Sequence, residues 1–92
     1  MINGNIKFFL DNLYIGQELL FSFKGVKYFI QGWTKDNGEK HLECWEYETS
    51  SPLLWEKDGT SMLELANNFL ETPLWDGKTF EEIEADTTWL EE

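Results

Sequence analysis

The chain holds one histidine and one cysteine, His41 and Cys44, and a thiol beside an imidazole is the simplest nucleophile pair a sequence can offer. Their spacing works against it. The stretch from Lys40 to Tyr47 reads as a β-strand, and two residues three apart on a strand point to opposite faces. Zinc fares no better, because its structural sites use about four Cys or His ligands. Only these two are present. Cys44 is expected to be a small buried hydrophobe and His41 a surface strand residue.

Two more motifs begin and fail. Gly77-Lys78-Thr79 ends as a phosphate-binding loop ends, but Thr72 stands where the first glycine belongs. Glu56-Lys57-Asp58-Gly59 opens like a calcium loop, yet Leu54 and Leu65 occupy its first and last ligand positions. No catalytic residue, cofactor site or metal site is therefore expected.

The acids are concentrated rather than patterned. Residues 1–42 carry five lysines against four acids, for +1, and residues 43–92 carry two lysines against fourteen, for −12, so the formal charge of −11 arises entirely in the second half. Its densest stretch contains Glu81, Glu82, Glu84 and Asp86, followed by Glu91 and Glu92. A solvated helix face accounts for them without a cation. The chain has no arginine, so the fork that grips phosphate and guanine is missing and direct nucleic-acid binding is not expected. Five tryptophans are explained first by packing, because a small domain needs large rings to build a core. An exposed pair such as Trp33 and Trp45 would instead suit a sugar or another flat ligand.

The elements that must position these residues follow from periodicity. Ile6, Phe9, Leu10 and Leu13 recur at helical spacing between a cap at Asn3 or Asn5 and a stop at Gly16. From Gln17 the period drops to two. Leu19, Phe21 and Phe23, the turn Lys24-Gly25, and Val26, Tyr28 and Ile30 predict a hairpin, which Asp36-Asn37-Gly38 extends to a third strand. A loop is expected over Glu48 to Pro52.

Beyond it, Pro52, Trp55, Gly59, Ser61 and Glu64 are echoed by Pro73, Trp75, Gly77, Thr79 and Glu82. Each copy sets a tryptophan before a turn and a capping box after it, so the ring folds back on the helix it precedes. One helix is expected from about Met62 to Leu70 and another after Thr79, with Phe80, Ile83, Thr87 and Leu90 facing inward. The predicted architecture is α+β. It comprises an N-terminal helix, a three-stranded antiparallel meander, room for a short strand near Leu53–Trp55, and two C-terminal helices packed on one face. Residues 1–92 make one small domain.

Lys24-Gly25-Val26-Lys27-Tyr28-Phe29-Ile30 and Asp76-Gly77-Lys78-Thr79-Phe80-Glu81-Glu82, with Asp86 and Trp89, resemble a pattern of small uncharacterised proteins of low-GC Gram-positive bacteria and their mobile elements. The resemblance implies a small α+β domain and transfers no functional site.

A lone cysteine forms no intramolecular disulfide, and Met1 to Tyr14 lacks the layout of a signal peptide and the length of a membrane span. The expected compartment is the cytoplasm, with no membrane contact. The expected function is a non-enzymatic interaction module for a basic protein partner, with Trp75 and Trp89 as apolar anchors among Glu81, Glu82, Glu84 and Asp86. A phage or mobile-element inhibitor fits that description. The alternative is a small assembly protein that pairs through a sheet edge, forming a homodimer.

Overall fold

The structure, a computed structural model, describes residues 1–47 and 53–90. The loop expected over Glu48 to Pro52 and the terminal Glu91 and Glu92 lie outside the described residues. Helix α1 (Ile6–Tyr14) starts where the Asn5 Oδ1 accepts hydrogen bonds from the Lys7 and Phe8 amides, at 2.9 and 3.3 Å. It buries Phe9 and Leu13. Strands β1 (Leu19–Phe23) and β2 (Val26–Thr34) form the expected hairpin, with Lys24 and Gly25 both at positive φ as a two-residue primed turn requires. Strand β3 (Lys40–Glu46) returns along β2 from Thr34↔Lys40 to Tyr28↔Glu46.

The second half departs from expectation twice. Strand β4 (Leu53–Gly59) is a full seven residues, running antiparallel to β3 with His41 opposite Asp58 and Glu43 opposite Glu56. Its Glu-Lys-Asp-Gly end resembles turn chemistry, but pairing with β3 overrides that local preference. Helix α2 (Met62–Glu71) matches its expected span and is capped by Ser61, whose Oγ accepts from the Glu64 amide at 3.3 Å.

The last helix, by contrast, is one turn long. After α3 (Phe80–Ile83) come a 3₁₀ turn at Glu84–Asp86 and a short strand β5 (Thr87–Trp89) laid against β1. The predicted three-stranded meander with two C-terminal helices is thus replaced by a five-stranded antiparallel sheet of order β4-β3-β2-β1-β5. Thr87 and Thr88 are β-branched and Trp89 is bulky, which suits a pleated strand better than a helix. The fully buried Thr87 keeps its hydroxyl satisfied by donating to the Glu84 carbonyl at 2.6 Å. Ile2 continues the sheet edge, donating its amide to Thr87 and accepting from Trp89.

One face of the sheet carries the core. Leu19, Phe21, Ile30, Leu42 and Cys44 point to the helices, where Phe80 stacks on Phe9 at 4.9 Å and meets Phe21 edge-on at 5.4 Å. The two echoed tryptophans do fold back as expected. Trp55 lies 5.3 Å from Phe69 of α2, and Trp75 lies 6.0 Å from Phe80 of α3. Among the described residues no helix is long and apolar enough to cross a membrane.

Candidate functional site

Among the described residues no helix lies over the opposite face of the sheet. Pairs Phe29↔Trp45, Gln31↔Glu43 and Trp33↔His41 across β2 and β3 alternate with the inward pairs Ile30↔Cys44 and Gly32↔Leu42, so the first set looks outward. Strand β4 adds Glu56 and Asp58 to the same side through their register with Glu43 and His41. Strand pairing therefore gathers one imidazole, three carboxylates, one amide and two indoles from residues up to 27 positions apart, Gln31 to Asp58.

These groups form a connected network. His41 Nδ1 lies 2.5 Å from Asp58 Oδ1, and its Nε2 lies 2.8 Å from Glu43 Oε1 and 3.9 Å from Glu56 Oε2. The other Glu43 oxygen accepts from Gln31 Nε2 at 2.7 Å and from Trp45 Nε1. Lys35 closes the far side, its Nζ 2.7 Å from Asp58 Oδ2. The Trp33 ring covers the imidazole at 4.5 Å between centroids. As a result His41 is only 7% exposed and Glu43 only 4%, although both stand on the uncovered face. His41 is thus not the surface residue its strand position suggests. Cys44 is buried on the inner face, away from His41, and burial pushes its thiol far above the ordinary range.

The imidazole sits between carboxylates at both nitrogens. A neutral ring has one proton, so one nitrogen would turn a lone pair toward an anion; the imidazolium donates to both. Burial opposes that charge, but the hydrogen bonds to Asp58 and Glu43 outweigh it and hold the His41 pKa above its ordinary value. Burial likewise pushes Glu43 upward, and the bonds from Gln31, His41 and Trp45 outweigh it, leaving the carboxyl below its usual range. Hydrogen bonds from Lys35 and His41 hold Asp58 low as well.

The residues proposed from the sequence lie elsewhere. Trp75 is buried at 5% exposure among Phe21, Tyr28, Phe69 and Phe80, so it offers no surface anchor. Trp89 is half-buried beneath the edge of Phe8 and against Phe9. Glu81, Glu82 and Asp86 are exposed, and Glu82 Oε1 accepts from the Thr79 amide at 3.0 Å. Glu84 is half-buried and accepts from the Met1 amine. Among the described residues these acids do not converge: Glu82 caps the start of α3 and Glu84 pairs with the Met1 amine.

Among the described residues, His41, Glu43 and Glu56 offer three ligand atoms within 4.8 Å of one another. The alternation His41-x-Glu43 was a usable signal, because it puts both side chains on one strand face. Glu56 and Asp58 fall in a turn-like Glu-Lys-Asp-Gly run, which conceals their pairing with that strand. No protein-family model matches this chain, and neither a curated protein nor a solved structure matches it.

Proposed function

We propose that this chain is a non-enzymatic module that binds a basic protein partner across the uncovered face of its sheet. The observation that carries this reading is the composition of that face. Trp33, Tyr47 and Leu53 are 44%, 50% and 42% exposed, half-buried Phe29 and Trp45 lie among them, and the whole stands in the field of a chain with net charge −11. Aromatic anchors in an anionic setting suit a cationic, partly apolar surface, since rings supply contact area and cation–π attraction while charge speeds encounter. The reading keeps Glu81, Glu82, Glu84 and Asp86 as steering charges and moves the anchors from Trp75 and Trp89 to Trp33 and Tyr47.

Affinity capture from the source cell's lysate at two salt concentrations, followed by kinetics with the retained protein, tests it. A basic protein held at low salt, with an on-rate slowed several-fold by neutralising Glu81, Glu82 and Glu84 together and an off-rate raised by Trp33→Ala, is the expected result. An on-rate indifferent to salt and to those substitutions overturns the electrostatic reading.

The edge-pairing alternative has less behind it. The β5 edge is partly taken by Ile2, and the β4 edge carries Glu56, Lys57 and Asp58, the kind of charge that blunts strand addition. Sedimentation decides: a salt-insensitive dimer would favour the edge, a monomer the open face.

A further inference from the structure

We propose that the outer face of β3 and β4 holds a divalent transition-metal ion of zinc's class, bound by His41 Nε2, Glu43 Oε1 and Glu56 Oε2, with Asp58 fixing the imidazole from its other nitrogen. This inference rests on the side-chain network alone and is independent of any protein partner.

The three donors converge. A tetrahedral ion with bonds of about 2.0–2.2 Å separates its ligand atoms by roughly 3.3 Å. Here Nε2 lies 2.8 Å from the Glu43 oxygen and 3.9 Å from the Glu56 oxygen, so one pair must open and the other close by about half an ångström. The 52% exposed Glu56 side chain can close its pair, and the His41–Glu43 pair opens by a small shift of two side chains once the shared proton leaves.

The atoms that would not touch the ion are held as those of metal ligands are held. Asp58 engages His41 Nδ1, so that Nε2, once it releases the proton it shares with Glu43, faces the metal in the carboxylate–histidine–metal arrangement. Gln31 and Trp45 both donate to the second Glu43 oxygen, and Lys35 anchors Asp58 in turn. A surface cluster of acids has none of this support. A proton shared between Nε2 and Glu43 satisfies that one pair, whereas a dication bonds the ring and both carboxylates together.

One imidazole and two carboxylates suit zinc, cobalt, nickel or manganese rather than calcium, which takes six to eight oxygens. Glu56 stands on the solvent side, so remaining positions would go to water, and three protein ligands with an open position match the layout of non-structural zinc sites.

Chelator-treated protein titrated with Zn²⁺ in a calorimeter tests the site, with Co²⁺ quenching of Trp33 and Trp45 emission as a local report. One ion per chain is expected, with Glu56→Gln and Asp58→Asn each weakening it at least tenfold and Glu81→Gln/Glu82→Gln leaving it unchanged. Both Glu56 and Asp58 are exposed, so these variants are expected to fold, which near-UV circular dichroism checks. The proposal is overturned by the absence of saturable Zn²⁺ binding. It is equally overturned if binding survives Glu56→Gln and fails in Glu81→Gln/Glu82→Gln, which would mark adventitious uptake by the C-terminal acids, or if Ca²⁺ competes on equal terms.

Discussion

The outer face of β3 and β4 and the segment from Thr79 to Trp89 are both rich in acids, and they hold them in opposite ways. On the sheet, Glu43 and Asp58 meet one imidazole from both sides, and Glu43 is buried with both oxygens bonded. Along the C-terminal segment, Glu81 and Asp86 are exposed, while Glu82 bonds the Thr79 amide at the start of α3 and Glu84 the Met1 amine. What fixes that segment is the rings beneath it. Acid count therefore says little about a site, whereas convergence across strands says a great deal.

The comparison makes its largest demand on Phe80. If the C-terminal segment is held by its apolar side, Phe80→Ala removes a 1% exposed ring packed on Phe9 and Phe21 and should cost about 3–5 kcal/mol in urea unfolding. Glu43→Ala comes next. It leaves the His41 ring and the Gln31 and Trp45 donors without their common partner in a buried place, an expected loss of about 3 kcal/mol. A Glu43→Ala penalty no larger than that of an exposed acid would erase the distinction between the two regions.

What was legible in the sequence divides along the same line. The Asn5 cap, the Lys24-Gly25 turn and the Ser61 cap are local, and each stands where its residues predict. Strand β5 is made by a partner far away, the β1 edge from which it is separated by most of the chain, and β4, though it follows β3 closely, ends in a Glu-Lys-Asp-Gly run that reads as a turn until its register with β3 is known. Thr87 illustrates the difficulty, because its spacing from Phe80 and Ile83 imitates a helix face while its buried hydroxyl closes a 3₁₀ turn. The His41 network was hidden for the same reason. Its i, i+2 half lies on one strand, but Asp58 and Glu56 arrive only through register, which one sequence does not disclose.

A pH series separates the regions with a smaller effect. The groups facing His41 are Glu43 on its own strand and Glu56 and Asp58 on β4, with Lys35 beyond. The raised His41 pKa means that its contribution to stability is full below the ordinary value of about 6.5 and is lost as pH rises through the folded-state value. The lowered Glu43 and Asp58 values mean that theirs is present above the ordinary carboxylate range near 4 and is lost as pH falls through the folded-state values. In chelator, the stability difference between the natural chain and His41→Gln should therefore be widest between about pH 4.5 and 6.5 and shrink on both sides. A difference that grows steadily from pH 6 to 9 would contradict the charged, doubly bonded ring.

The finest test lies between two adjacent residues of one type. Glu81 and Glu82 are both exposed glutamates in the first turn of α3, and the same helix-end field acts on both. Only Glu82 reaches back to the Thr79 amide, closing the entry to the turn that seats Phe80. Glu82→Ala should cost roughly 0.5–1 kcal/mol as a lost capping bond, and Glu81→Ala should stay within about 0.5 kcal/mol. Matched chemical denaturation of the two variants reads the difference directly. Equal losses would mean that charge near the helix start, rather than the bond itself, is what the C-terminal acids supply.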